Sequence, residues 1–207
     1  MPNWCYTKIT ITNDNKEENN VFKNLMDVWT KIDYMENGFR WTGNYGWLGN
    51  IVLGANIGTV DTDPKTDLRC RGSLSEWEYD DRYGEFTFWT ETAWSPMLQM
   101  WVKLIEKYMP HANMLFVAEE CGCGMWDTND HDLVGKYIID GYENLPINID
   151  NVNEQEMSKS ELEYILRELL KDETSAFNDL IEMFEESEFS DEATIHQWEY
   201  VDIEVYC

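Results

Sequence analysis

Residues 84–96 read GEFTFWTETAWSP, a stretch that joins two different sequence patterns. Aromatic and β-branched residues dominate Gly84–Glu91, and Phe86 and Phe88 fall on one face of the strand that this alternation predicts. The Ser95-Pro96 pair then offers an N-cap and a first helical residue. The stretch therefore predicts a strand that leads directly into a helix, a junction typical of α+β domains.

The patterns on either side of this stretch add further elements. Alternating β-branched residues predict a strand over Trp4–Thr12. A capping box formed by Asp14 and Glu17 predicts a helix that ends before Gly38. Shorter strands are predicted over 68–71, 77–79, 113–120, 125–127 and 136–140. The resulting order of strand, helix, strand, strand, helix, strand is that of the ferredoxin-like split βαβ fold.

The rest of the chain predicts an acidic helical extension to this core. A capping box at Ser158 and Glu161 starts one helix, and a second helix is predicted over 174–187. Alternation over 194–206 predicts a closing strand. The predicted fold class is therefore α+β, divided into a ferredoxin-like domain over 1–141, a polar linker over 142–157 and the extension over 158–207.

Negative charge is the strongest compositional feature. The 41 Asp and Glu residues against 15 Lys and Arg give a formal net charge of -26. From Tyr142 onward there are 19 acidic and 3 basic residues, a net charge of -16, whereas the first 141 residues carry -10. Since such a surface repels nucleic acid and anionic membranes, we expect neither as a direct partner and a basic protein instead.

Composition also indicates a folded, cytoplasmic chain. Ten Trp and eleven Tyr residues supply a core that disordered acidic chains lack. The opening Met1–Cys5 shows no basic and apolar signal-peptide pattern, and no stretch approaches the ~20 apolar residues of a membrane span. The five cysteines are irregularly spaced, which predicts reduced thiols.

Three segments carry a resemblance to a known family. Met1-Pro2-Asn3-Trp4-Cys5 opens the chain, Thr92-Ala93-Trp94-Ser95-Pro96 lies at the strand-to-helix junction, and Glu119-Glu120-Cys121-Gly122 follows the next strand. In this order they resemble segments of the Api-like proteins, an uncharacterised family of phages and plasmids. The resemblance covers about residues 1–127 and implies a ferredoxin-like domain in a mobile-element protein, without an activity. The family's Trp-Gly-Thr-Lys-Trp stretch has its nearest counterpart in Arg71-Gly72-Ser73-Leu74, so its lysine is absent.

Two groups of residues are candidates for binding a ligand. Trp94 and Ser95 stand where backbone N–H groups open a helix, a natural anion site, unless Trp94 simply packs into the core. Glu91, Glu119 and Glu120 end neighbouring predicted strands. Convergent carboxylates there could hold a divalent metal or perform acid–base chemistry, and in so acidic a chain they could equally be solvated strand ends.

The other possible sites fail on spacing. Asp127–Asp132 lacks the Gly and the Glu that a calcium loop places at positions six and twelve. Cys121 and Cys123 are separated by one residue rather than the two usual at zinc sites, and the glycine-rich segment 43–58 is not a P-loop. The sequence therefore predicts no cofactor and no metal, and no catalytic residue is identified.

The acidic C-terminal third offers the most specific hypothesis. Its carboxylates could imitate a row of phosphates, and Glu182, Glu185 and Glu186 share one helix face by their spacing. The candidate partner-binding residues are Asp172, Glu173, Asp179, Glu182, Glu185, Glu186, Glu188, Asp191 and Glu192.

We therefore expect a non-enzymatic mobile-element protein that binds a basic protein. In its more specific form, the hypothesis is that the chain acts as a DNA mimic and inhibits a nucleic-acid-handling host or defence protein. Two alternatives stay open: a small ligand- or metal-binding module or enzyme that uses the strand-end carboxylates, and a structural phage component.

Overall fold

The computed structural model describes residues 3–31, 46–60, 68, 70–147 and 156–206. Within these ranges the chain is a mixed α+β protein with five α-helices and mostly antiparallel strands. Its contacts divide it into two units, Met1–Met125 with Val201–Cys207, and Trp126–Tyr200. No helix in these ranges combines the length and the apolar character that a membrane crossing requires.

In its described residues the first unit contains four strands in the order β2-β3-β1-β4, and each neighbouring pair is antiparallel. The predicted strands over 4–12 and 113–120 are confirmed with their bounds, and the strand predicted over 84–91 is found at Glu85–Ala93. The strands are β1 Trp4–Thr12, β2 Gly72–Asp80, β3 Glu85–Ala93 and β4 Asn113–Glu120.

Helices cover the inner face of this sheet. They are α1 Lys16–Trp29, α2 Leu48–Ala55 and α3 Leu98–Tyr108. Phe22 of α1 meets Phe86 edge-on with ring centroids 5.2 Å apart, and Trp101 of α3 lies 4.4 Å from Phe88. All four rings are fully buried, so β3 is fixed against both helices by aromatic contacts.

Both predicted helix starts in the first unit are wrong by one or two residues. The cap of α1 is Asn15, not Asp14, because Asn13 Oδ1 accepts the N–H of Asn15 at 3.1 Å and turns the chain one residue further. The helix after β3 starts at Leu98, not at Pro96, and its cap Met97 makes no side-chain hydrogen bond. Trp94, with φ +74°, bends the chain before that helix.

The glycine-rich segment contains α2, which the sequence did not predict. Gly49 allows the close approach of the Trp47 ring, since a Cβ at Gly49 would lie 2.4 Å from it. The Trp47 indole N–H donates to the carbonyl of Cys70 at 2.9 Å. Helix α1 ends at Trp29, before Gly38 as predicted. The part of the glycine-rich segment up to Tyr45 lies outside the described residues.

The second unit has a smaller core of its own. Strands β6 and β7 pair antiparallel, whereas β5 and β8 pair in parallel over Asp127–Thr128 and Glu199–Tyr200. The predicted Ser158–Glu161 capping box is confirmed at the start of α4. The elements are β5 Met125–Thr128, β6 Tyr137–Asp140, α4 Lys159–Leu170, α5 Phe177–Glu185, β7 Thr194–Gln197 and β8 Glu199–Tyr200.

The boundary between the units differs from the predicted division at residue 141. The chain leaves the first unit after Met125, and β6, which the sequence assigned to the first domain, pairs with β7 in the second. The predicted linker over 142–157 is described in part, and there Tyr142, Leu145 and Met157 are buried in the second core. These side chains are core residues rather than linker residues.

The predicted closing strand over 194–206 is wrong as one element. Residues 194–197 pair with β6, and Glu199–Tyr200 pairs with β5, so the chain changes its partner strand at the buried Trp198. The last part, Ile203–Tyr206, is a 3-10 turn whose Tyr206 ring contacts Phe116 in the first unit. The alternating sequence pattern over 194–206 does not predict a change of partner strand or a helical turn.

Replacing Phe88 tests the aromatic core of the first unit. Phe88→Ala removes a fully buried ring that contacts Trp101 and Trp77. We expect a loss of about 3–5 kcal/mol in the free energy of unfolding, measured by urea denaturation. Tyr83→Ala, at a residue that is 70% exposed, should change it by less than about 0.5 kcal/mol. Equal losses in the two variants would contradict this description of the core.

Candidate functional site: an acidic helix and its cleft

Residues 172–192 contain nine acidic side chains and no lysine or arginine. We call these residues the acidic segment. They form the end of the α4–α5 connection, helix α5 and the 3-10 turn Glu188–Asp191. Eight of the nine carboxylate side chains are exposed, and Asp172 is half-buried. The nine predicted partner-binding residues therefore lie in one continuous segment of the second unit.

Helix α5 separates its apolar and acidic residues clearly. Leu180 and Phe184 are buried, whereas Glu182, Glu185 and Glu186 are exposed. Residues spaced by three or four positions are neighbours on a helix surface, so like charges at these positions repel by roughly 0.2–0.5 kcal/mol per pair. This part of α5 thus carries an internal electrostatic cost.

Nothing in the described part of the second unit neutralises this charge by an ion pair. The two ion pairs there are Lys136–Glu156 at 3.5 Å and Arg167–Glu163 at 2.6 Å, and neither involves a carboxylate of the acidic segment. The last turn of α5 contains no basic residue. Since the C-terminal end of a helix is the negative end of its dipole, acidic residues there are unfavourable. The segment breaks a local stability rule, as functional sites often do.

Asp172 differs from the other eight acids because it organises the chain locally. Its Oδ1 accepts the N–H groups of Thr174 and Ser175, both at 2.8 Å, and its Oδ2 accepts the Ser175 hydroxyl at 2.9 Å. The pKa of Asp172 is lowered by hydrogen bonds from the backbone N–H groups of Ser175 and Thr174 and from the Ser175 hydroxyl. Its carboxylate therefore holds the turn before α5, a role that the sequence-based assignment to partner binding missed.

A cleft of about 380 Å³ lies beside α5 in the second unit. Tyr137 of β6, Phe177 and Ile181 of α5, and Ile195 of β7 form its apolar lining. The Tyr137 and Phe177 rings meet edge-on at 5.6 Å. The volume lies in the lower part of the range of small-ligand sites.

Polar groups line the same cleft. They are Asn178 and Glu182 of α5, with Gln197 of β7. His196 also borders the cleft, but its ring faces the other side of β7, toward Trp126. Glu182 belongs both to the acidic segment and to the cleft lining, so the charged helix face and the cleft form one continuous site. No sequence motif marks this cleft, because its lining comes from a helix and two strands that are distant in the chain.

The surroundings of His196 favour the neutral form of its imidazole. Burial lowers the pKa of His196, and the nearby charge of Asp140 acts in the opposite direction. The ring stacks on Trp126 with centroids 4.7 Å apart and an interplanar angle of 23°. His196 was not among the predicted site residues, since a single histidine in an alternating strand gives no distinctive signal.

The predicted ligand loop at Trp94 and Ser95 is exposed. Trp94 is 49% exposed and has φ +74°, a left-handed conformation that is unusual for a bulky residue. Its N–H donates to the carbonyl of Asn3 at 2.9 Å. The alternative that Trp94 packs into the core is wrong. Because the following helix begins only at Leu98, the loop is not the predicted helix N-terminus.

The three candidate strand-end carboxylates do not converge. Glu91 and Glu119 each pair with Tyr6, on opposite sides of β1, so they share one face of the sheet. Glu120, as the next residue of β4, points to the other face and is 1% exposed. No group of three or more His, Cys, Asp or Glu side chains in the described ranges is arranged to hold a metal ion.

Glu120 instead stabilises the turn that follows β4. Its Oε1 accepts the N–H of Gly122 at 3.0 Å, and a Cβ at Gly122 would lie 2.8 Å from the same oxygen. Hydrogen bonding to Glu120 raises the pKa of the Cys123 thiol, against an opposite contribution from Asn3. A thiol with a raised pKa is a poor nucleophile. The turn therefore has a structural explanation and gives no support for chemistry at this end of the sheet.

Comparisons with protein-family models, curated proteins and solved structures find no match to this chain.

Alanine substitutions at Asp172 and Glu173 distinguish the stabilising effect of the Asp172 turn from the effect of removing a surface charge. Asp172→Ala removes three accepted hydrogen bonds, whereas Glu173→Ala removes the same charge at an exposed neighbour. We expect Asp172→Ala to lower the melting temperature by a few degrees and Glu173→Ala to leave it unchanged, by differential scanning calorimetry. Equal melting temperatures would show that the Asp172 turn does not stabilise the fold.

An NMR titration of the His196 ring tests its surroundings. The midpoint should lie below 6.5, and Asp140→Asn should lower it further, because Asp140 favours the charged form. As the pH falls below 6.5 the unfolded chain takes up the proton first, so this residue lowers stability on acidification until the folded pKa is passed. A midpoint at or above 6.5 would contradict the burial of this ring.

Proposed function

We propose that this chain is a non-enzymatic binding protein that engages a basic protein through the acidic segment. The observation that carries the proposal is the row of eight exposed carboxylates without ion pairs among the described residues. A basic partner would remove the repulsion among them and the unfavourable charge at the end of α5. Binding would thus be favoured in two ways: it would reduce the repulsion among these carboxylates, and the partner's positive charge would attract them.

The distribution of charge supports a localised interface. Residues 126–200 contain 21 acidic and 4 basic residues, a net charge of -17, which is most of the -26 of the whole chain. At physiological salt, charges separated by more than about 8 Å are largely screened. The closely spaced carboxylates of α5 therefore attract a partner more effectively than the same charge spread over the whole surface.

In its specific form, the proposal is that the acidic segment occupies the nucleic-acid site of a host or defence protein. Proteins that hold DNA or RNA present Lys and Arg side chains spaced to neutralise phosphates. The exposed carboxylates of the acidic segment offer the same sign of charge on a folded surface. This mode accounts for a strongly anionic segment that makes no ion pair of its own within the described ranges.

We further propose that the first unit is a ferredoxin-like domain of an Api-like mobile-element protein. The antiparallel order β2-β3-β1-β4, with α1 between β1 and β2 and α3 between β3 and β4, supports the split βαβ arrangement. The additional helix α2 is a departure from its six-element order. The family assignment is supported by the three sequence segments that carry the resemblance.

Affinity capture with matched charge variants tests the proposal. The native chain, the triple variant Glu182→Gln/Glu185→Gln/Glu186→Gln and the control Glu76→Gln/Glu78→Gln/Asp81→Asn are immobilised, and host lysate is applied at increasing salt. The control removes three exposed acids from the first unit. We expect a basic protein that is retained by the native chain and the control and lost with the triple variant.

Competition with duplex DNA tests the mimicry. Since a nucleic-acid mimic and DNA share one site, excess duplex should release the captured protein. Retention by all three forms, or the absence of any basic protein at low salt, would overturn binding through the acidic segment. A partner that depends on the acidic segment but is not released by DNA or RNA would overturn the mimicry alone.

A further inference from the structure

The cleft beside α5 contains the groups that a guanidinium cation prefers. Glu182 supplies a carboxylate, and Tyr137 and Phe177 supply aromatic rings. Among the residues that the structure describes, no lysine or arginine lines the cleft. Carboxylates and aromatic rings both attract cations, the rings through the negative potential above their faces.

The chain already uses one of these rings to bind a cation. The Nζ of Lys159 lies 4.5 Å from the centroid of the Phe177 ring. Lys159 is exposed and is the first residue of α4. The Phe177 ring thus already contacts a positive group, and a partner's cation in the cleft would compete with Lys159 for it.

We propose that the cleft receives the side chain of a single arginine from the basic partner, with Glu182 binding its guanidinium and Phe177 contacting its plane beside Tyr137. This inference rests on the proposed function and names the residue type that anchors the partner. It commits to an arginine in a polypeptide because Glu182 joins the cleft to the acidic segment, whose remaining carboxylates face basic residues next to that anchor.

Geometry favours arginine over lysine. A guanidinium is planar, so it can stack on a ring and donate two parallel hydrogen bonds to one carboxylate. An ammonium is a compact, strongly hydrated charge that gains less from a cleft with aromatic and isoleucine walls. We therefore expect the cleft to bind arginine in preference to lysine, although the two carry equal charge. The open acidic surface is not expected to make this distinction.

Titration with small probes tests the anchor on the full-length protein. The probe is a short glycine–serine peptide with one central arginine, and its counterparts carry lysine or the uncharged isostere citrulline. Binding is followed by NMR through the methyl groups of Ile181 and Ile195, which line the cleft. We expect these signals to move with the arginine peptide, less with the lysine peptide and not with the citrulline peptide.

Three variants give the proposal a matched set of controls. Glu182→Gln should weaken arginine-peptide binding about tenfold, the effect of losing a charge-assisted hydrogen bond. Glu185→Gln removes the same charge from the same helix outside the cleft lining and should weaken it less than about twofold. Lys159→Gln should strengthen binding, since it removes the competing cation from the Phe177 ring.

The outcomes separate this inference from the proposed function. Equal effects of Glu182→Gln and Glu185→Gln, or equal shifts with arginine and lysine, would overturn the cleft as an arginine site while the acidic segment still bound a basic protein. Unchanged binding in Lys159→Gln would equally contradict the stacking on Phe177. Loss of partner capture in the triple acidic variant is measured independently and bears on the proposed function.

Discussion

The burial of Phe86 and Phe88 between the sheet and its helices is the constraint on which the first unit depends. Phe86 contacts Phe22 of α1, and Phe88 contacts Trp101 of α3, so the two rings bring both helices to one face of the sheet. Since β3 lies between β2 and β1, its inner face must be covered along its length. The outer face is left with polar and half-buried side chains, such as Thr10 and Glu91.

Local patterns predicted the elements whose stability is local. The bounds of β1 and β4 follow from their alternation, and the Ser158–Glu161 capping box marks the start of α4. Helix α2 escaped prediction because its glycines argue against a helix, and its stability comes from packing, with Leu48 fully buried. The division into units was also hidden, since the pairing of β6 with β7 joins segments that are more than fifty residues apart.

The candidate site was predictable in its charge and not in its shape. Nine acids without a basic residue over 172–192 are visible in the sequence, and so is the exposed face that spacing gives to Glu182 and Glu186. The structural use of Asp172 and the cleft beside α5 depend on three-dimensional neighbours, which spacing along one helix cannot supply. The three strand-end carboxylates failed for a simpler reason: Glu119 and Glu120 are adjacent in one strand, so they face opposite ways.

Val201, Ile203 and Tyr206 pack on the core of the first unit, although the chain has by then passed through the whole of the second. During synthesis, the 75 residues of Trp126–Tyr200 therefore emerge before these side chains do. At 5–20 residues per second this takes roughly 4–15 s. Throughout that interval the nascent first unit lacks part of its own core. The second unit has all of its residues once Tyr200 has been added, before Val201, Ile203 and Tyr206 join the first. Of the two units, the one that starts earlier in this sequence is thus the later one to receive all of its core residues.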